Sequence, residues 1–223
     1  MKALPGSSVP TQRGLPIAKE GFPFIAVSGF VAVYCLALGF GAAALFFLAV
    51  TCFIVFFFRD PERAIPDAEG VVVSPADGRV LGVEFVDEGE FVSGQMLKIS
   101  IFMSVFNVHV NRIPADGVVT NISYYSGKFF SANLDKASKN NERNAVNLDV
   151  DNGQKIVVVQ VAGLIARRIV CKVRKGERLR RGERFGLIRF GSRLDVYLPP
   201  DMKSEVSPGD NVLAGTSVLG YLT

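Results

Sequence analysis

Hydrophobic and polar positions divide the chain into two stretches of different character. From Gly21 to Phe58 there is no Asp, Glu, Lys or Arg, and nearly every position is apolar. As one straight helix this run would extend about 57 Å at 1.5 Å per residue, nearly twice the roughly 30 Å hydrocarbon core of a bilayer. Gly39, Phe40 and Gly41 lie at its middle, so a break there predicts a helical hairpin over 22–38 and 42–58. Each arm, at about 17 residues, is near the lower limit for a crossing. The run is too long for a secretory signal and lacks a small-residue cleavage site.

Beyond residue 58 the pattern shortens. Val71–Val73, Val80–Val86, Leu97–Phe102, Gly117–Tyr125, Ile156–Val161, Ile169–Val173, the segment 185–190 and Leu194–Leu198 are rich in β-branched or aromatic residues and are separated by Gly, Pro, Asp and Asn. Such runs read as strands, and their number predicts a mainly β (α+β) fold, a small barrel or sandwich. The polar stretch 131–147 has little periodicity and is expected to be a loop, with or without a short helix. Loops of that length in a compact domain are often functional. The expected organisation is an N-terminal tail (1–20), a membrane hairpin (21–58) and a folded domain (59–223).

Two segments of that domain are loosely alike: S-P-A-D-G-R-V from Ser74 to Val80, and V-S-P-G-D-N-V-L-A-G-T-S-V-L-G from Val206 to Gly220. Both resemble the turn-and-strand units of lipoyl and biotinyl hammerhead domains, where a Gly/Asp turn reverses a strand. A lipoyl-like β fold follows from that resemblance, and no activity does.

Composition narrows the classes. The chain has 223 residues, 49% hydrophobic and 21% charged, which excludes disordered, collagen-like and strongly acidic proteins. Its mean hydropathy of +0.30 is carried by the apolar run. Cys35, Cys52 and Cys171 are far apart and form no C-x-x-C pair, so no disulfide framework or thiol-rich metal site is expected. The single histidine, His109, excludes a multi-histidine metal centre. Lys2, Arg13 and Lys19 precede the hairpin, and Arg59 and Arg63 follow it. Positive-inside bias then puts both ends in the cytoplasm, with the folded domain on the cytoplasmic face of the cell membrane whether the hairpin spans or lies in one leaflet.

The segment F-G-L-I-R-F-G-S-R-L-D-V-Y-L, residues 185–198, places a small nucleophile, Ser192, directly after a residue without a Cβ, Gly191. Glycine lowers the steric barrier to attack on its own carbonyl and permits unusual backbone angles. By itself a Gly-Ser pair is far more often an ordinary turn. Three further segments accompany it: S-P-A-D-G-R (Ser74–Arg79), F-M-S-V-F-N-V-H-V-N-R-I-P (Phe102–Pro114) and N-E-R-N (Asn141–Asn144). Together, in this order, they closely resemble phosphatidylserine decarboxylase in its short, self-processing form. The resemblance spans most of residues 60–223, and a preceding hydrophobic hairpin is also a feature of short members of that family.

The resemblance implies an enzyme that makes its own cofactor. Ser192 would attack the Gly191 carbonyl, an N-to-O acyl shift would give an ester, and elimination would release a β chain, 1–191. The α chain, 192–223, would begin with a pyruvoyl group derived from Ser192. That group would form a Schiff base with the amine of phosphatidylserine and act as the electron sink for loss of carbon dioxide. His109 is the implied acid or base, since unperturbed imidazole titrates near about pH 6.5. Asp77 is expected to orient the imidazole by the logic of catalytic triads, or else to satisfy backbone amides in its turn.

One departure stands out. Longer members carry H-x-x-H before the proline, whereas this chain has His109 and Arg112. His109 falls on the histidine associated with decarboxylation and Arg112 on the one associated with self-cleavage. Arginine is a poor proton acceptor, with a pKa above roughly 12. Either His109 serves both phases or another base acts in maturation, and Arg112 can instead hold a carboxylate or phosphate. Arg143 and Asn144 are further candidates for head-group contact.

Between Gly163 and Gly191 ten Lys and Arg residues are opposed only by Glu177 and Glu183. Such a patch suits an anionic membrane surface, at about 1 kcal/mol per cation, and an anionic phospholipid substrate. It lacks the interleaved aromatics of a nucleic-acid surface, and no nucleic-acid partner is expected. The implied partners are the phospholipid, the membrane and the chain's own β and α fragments as a heterodimer, with higher assembly left open. Two other readings remain at this point: the same chemistry on an ether-linked serine phospholipid, and a membrane-tethered lipoyl-like binding module that is never cut.

Overall fold

A computed structural model describes residues 16–87, 91, 94–127, 141–163, 168–189 and 191–222. The described residues form two compact units, one up to Glu62 and one from Arg63 onward.

The first unit is the hairpin. Helix α1 (Phe22–Ala37) starts with proline in its first turn, where a missing N–H costs nothing. Gly39, at φ +80°, ends it in the left-handed conformation that favours glycine, and α2 (Gly41–Phe57) returns. Thr51 donates to Ser28 Oγ across the pair at 3.0 Å, and each hydroxyl also bonds a carbonyl of its own helix. Both hydroxyls thus find partners within the helix pair. Phe30, Leu45 and Phe46 are exposed. The segment Lys19–Ala37 is long and apolar enough to cross a membrane, while α2 falls just short.

The second unit is mainly β, as the residue pattern predicts, with fourteen strands among the described residues. These are β1 (Val71–Val73), β2 (Gly78–Asp87), β3 (Gln95–Met103), β4 (Val110–Arg112), β5 (Gly117–Tyr125), β6 (Arg143–Val150), β7 (Lys155–Ala162), β8 (Ile169–Cys171), β9 (Arg178–Leu179), β10 (Arg184–Ile188), β11 (Ser192–Leu198), β12 (Lys203–Ser204), β13 (Asn211–Val212) and β14 (Val218–Tyr221). Eight form a curled sheet in the order β13-β2-β3-β11-β7-β6-β5-β9, and two three-stranded sheets, β1-β14-β12 and β4-β10-β8, complete the fold. One face of the large sheet carries Ile99, Ile101, Val146, Leu148, Val158, Leu194 and Val196 into the main core.

The two loosely similar turn segments meet in space. Ser74 and Ser217 pair through backbone, as do Val80 and Asp210, and β13 is bonded to the start of β2. The expected loop at 131–147 needs correction at its C-terminal end. Residues 143–150 are β6, an interior strand between β5 and β7. Its Asn and Asp residues disfavour strand by propensity, but pairing on both edges and burial override that preference. Residues 131–140 lie outside the described residues.

Candidate active site

Ser192 is the first residue of β11, the strand at the middle of the large sheet. It lies opposite Met103 of β3 and Ala162 of β7. Strand alternation turns Ser192 to the same face as core residues Leu194, Val196 and Leu198, and it is wholly buried. The rungs at this end of the face are polar where the rest are aliphatic: Gln160 and Asn144 are opposed across β7 and β6. Ser192 Oγ donates to Met103 Sδ at 3.4 Å. A thioether is a weak acceptor, so the hydroxyl is held without being activated.

Gly191 has φ +68°, and a Cβ there would meet nothing within 4 Å. Space does not demand glycine at this position; the left-handed backbone does. Its N–H donates to His109 Nε2 at 3.4 Å. The other ring nitrogen, Nδ1, lies 3.0 Å from the Asn107 carbonyl oxygen. A carbonyl only accepts, so Nδ1 carries the proton and Nε2 presents its lone pair to Gly191: the imidazole is neutral, in one defined tautomer. Asn107 is itself fixed, its Oδ1 accepting from both the N–H and the hydroxyl of Ser104. His109 is buried, and its carbonyl accepts from Ile188 N–H, which ties it to the strand that leads into Gly191.

The remaining expected residues are distributed more widely. Asp77 is buried, with Oδ2 on Arg63 Nη2 at 2.7 Å and Oδ1 accepting the Ala214 N–H at 2.7 Å. Its carboxylate therefore joins the Ser74–Asp77 turn to the C-terminal segment, and it is Asn107 that fixes the imidazole's Nδ1. Arg112, on β4, donates through Nη1 to the Gly182 carbonyl at 2.9 Å, and its own N–H bonds the Pro75 carbonyl beside Asp77. Adjacent on β6, Arg143 and Asn144 face opposite sides. The Arg143 guanidinium lies over the Tyr125 ring, 4.7 Å from its centroid, whereas Asn144 faces the Ser192 side.

Asn144 belongs to a row of amides on the Ser192 side, whose other two members are Gln160, outside every motif, and Asn111, which lies within the 102–114 motif with no role expected of it there. Asn144 Nδ2 donates to Gln160 Oε1 at 3.2 Å, Gln160 Nε2 donates to Asn111 Oδ1 at 2.8 Å, and Asn111 Nδ2 approaches Met103 Sδ at 3.7 Å. Asn111 and Gln160 are wholly buried. Gln160 carries one signal in the sequence, as the polar residue at an inward position of V-V-V-Q-V-A. At the outer end of the row the Cys171 thiol lies against Asn144, and burial pushes the thiol up.

A family model described as phosphatidylserine decarboxylase matches residues 50–220. Curated relatives agree over nearly full length. The phosphatidylserine decarboxylase proenzyme of Geotalea uraniireducens is 52% identical over 94% of this chain and 98% of its own. That of Desulfotalea psychrophila is 47% identical over 95% and 99%, and that of Burkholderia multivorans 50% over 92% and 96%.

The chain belongs to the phosphatidylserine decarboxylase family.

It is accordingly a decarboxylase, a carboxy-lyase, and in it His109 Nε2 accepts the Gly191 N–H beside the buried Ser192.

Proposed function

We propose that this decarboxylase cuts itself between Gly191 and Ser192 and then converts phosphatidylserine to phosphatidylethanolamine and carbon dioxide. The observation that carries the reading is the Gly191 N–H on His109 Nε2, next to a buried serine and at a left-handed glycine. The Ser192 Oγ–C bond to Gly191 forms as the hydroxyl proton passes to His109 Nε2, and the Gly191–Ser192 amide opens to an ester with a free amine on residue 192. Loss of the Ser192 α-proton expels the Gly191 carboxylate. Water then replaces the nitrogen on residue 192, which leaves as ammonia.

The residues fit the group so formed. Residue 192 is held between β3 and β7, is sealed from solvent, and its hydroxyl meets only a weak sulfur acceptor that does not compete with the chemistry. The pyruvoyl group supplies a ketone that captures the substrate amine and draws off the electron pair left by carbon dioxide. His109, neutral and with its Nε2 lone pair turned toward Gly191, is the base for maturation and the proton carrier afterwards. Arg112 is no base; its contact with Gly182 makes it a brace for β4, and His109 serves both phases.

The hairpin attaches the domain to the membrane, with basic flanks placing it on the cytoplasmic face. Exposed cations between residues 168 and 180 then meet the anionic leaflet. The two chains, 1–191 and 192–223, stay together as strands of one sheet. Intact mass of the denatured protein beside Ser192→Ala tests the reading. Two fragments are expected from the native sequence, the smaller lighter by one ammonia than simple hydrolysis gives, and one uncut chain from the variant. An uncut but lipid-decarboxylating native protein would overturn it.

A further inference from the structure

The amide row beside Ser192 has a single direction. In Asn144, Gln160 and Asn111 alike, the NH2 donates toward Ser192, and the carbonyls of Gln160 and Asn111 accept from the amide behind. The row ends badly. Asn111 Nδ2 has two hydrogens, is wholly buried, and among the described residues finds only the sulfur of Met103 at 3.7 Å, a sulfur it shares with the Ser192 hydroxyl. Under-satisfied buried donors are costly and uncommon. A donor fixed in that state from behind is preorganised for an acceptor that arrives later.

The acceptor must be on the substrate. Conversion of Ser192 removes its hydroxyl from the sulfur, and the incoming amine carries a carboxylate one carbon away from the bond to residue 192. The row offers this carboxylate no cation, only amide, thioether and thiol groups. Of the arginines next to the row or to Ser192 in sequence, Arg112 donates to the Gly182 carbonyl, Arg193 is held by Asp195 and Ser100, and Arg143 lies on the opposite face of its strand over Tyr125. Neutrality suits the reaction, because the carboxylate loses its charge as carbon dioxide departs. A fixed cation would stabilise the reactant more than the transition state, whereas a neutral donor orients the group and leaves its charge free to move.

We infer that Asn111, fixed by Gln160 and Asn144, is the donor that seats the substrate carboxylate beside residue 192, and so distinguishes a serine lipid from its decarboxylated product. This rests on the function proposed above. The test uses self-cleaved protein in detergent micelles and traps lipid amines on the small chain with cyanoborohydride, read by intact mass. Asn111→Leu is compared with the native sequence on phosphatidylserine and on phosphatidylethanolamine, which lacks the carboxylate. Trapping from phosphatidylserine is expected to fall about ten- to hundredfold, the worth of a hydrogen bond to a charged group, with trapping from phosphatidylethanolamine unchanged. Gln160→Met, which keeps Asn111 but frees it, should show a smaller loss of the same kind. Equal losses on both lipids, no loss on either, or failure of both variants to cleave themselves would overturn the assignment. A native protein that neither cleaves nor traps would instead overturn the functional reading beneath it.

Discussion

His109 Nε2 accepts the N–H of Gly191 at 3.4 Å while its Nδ1 proton is held by the Asn107 carbonyl. The only imidazole in the chain is thus fixed, in its basic tautomer, at the residue whose carbonyl Ser192 would attack. Arg112, which stands where longer relatives of this family are expected to have a second histidine, is committed to a backbone carbonyl.

A single imidazole acting in both phases means that His109→Ala should remain one uncut chain on a denaturing gel. The substitution empties a buried, ring-sized space, so added imidazole should restore partial cleavage. Restoration separates a proton-transfer role from a packing role. Cleavage of the variant at the native rate without imidazole would remove His109 from maturation.

Gly191→Ala isolates the backbone. No atom beyond the two chain neighbours lies within 4 Å of the new methyl group, so the effect comes from a φ of +68°, which costs an L-residue about 1–2 kcal/mol. Alanine escapes that cost by turning to negative φ, which swings the carbonyl away from Ser192 Oγ. A folded protein with slower cleavage, by about tenfold or more, is expected in a time course of intact mass. An unchanged rate would mean that the left-handed conformation has no role in attack.

Legibility in the sequence follows what each residue does. The helix pair could be read because the apolar run is long and uncharged, and its break because glycines flank the midpoint. Gly191, Ser192 and His109 were singled out by their motifs, and the structure brings His109 Nε2 to the Gly191 N–H. Strand β6 was hidden because its edges are satisfied by β5 and β7, a fact of tertiary pairing that R-N-A-V-N-L-D-V does not display. Asp77 illustrates a different limit. The turn could be recognised, but nothing in S-P-A-D-G says that the carboxylate meets Arg63 and the Ala214 amide. Asn111 and Gln160 became visible as neighbours only after register put β7 beside β11 and β4 across from them.

Arg63→Ala follows from that pairing. Asp77 has a nearly buried carboxylate, and the Arg63 side chain is itself largely shielded. Removing the guanidinium leaves a buried negative charge with one backbone amide, a loss of about 3 kcal/mol by comparison with other broken buried pairs. Denaturant unfolding of the Ser192→Ala background, which keeps the chain in one piece, measures this directly. Replacing both residues, as Arg63→Met with Asp77→Leu, should recover part of the loss; no difference between single and double variants would show that the pair is uncoupled.

Cys171 offers a pH-dependent readout of the amide row. Burial raises its thiol pKa, opposed in part by hydrogen bonds from the Val173 backbone and Asn144. A raised value means less thiolate at any given pH, so alkylation of Cys171 at pH 8 should be slower than that of an exposed thiol, and its rate should go on rising above the ordinary value of 9.0. Because the folded value exceeds the unfolded one, the stability linked to this thiol is intact below 9.0 and is lost as pH rises toward and through the folded value. Asn144→Leu removes a hydrogen bond that favours the thiolate, so it should slow alkylation further despite opening no path for the reagent. Measured by mass shift in a Cys35→Ala, Cys52→Ala background, faster alkylation in Asn144→Leu would mean that access, rather than the hydrogen bond, controls the thiol. It would also mean that the outer end of the row is loose, which a donor fixed from behind at Asn111 could not tolerate.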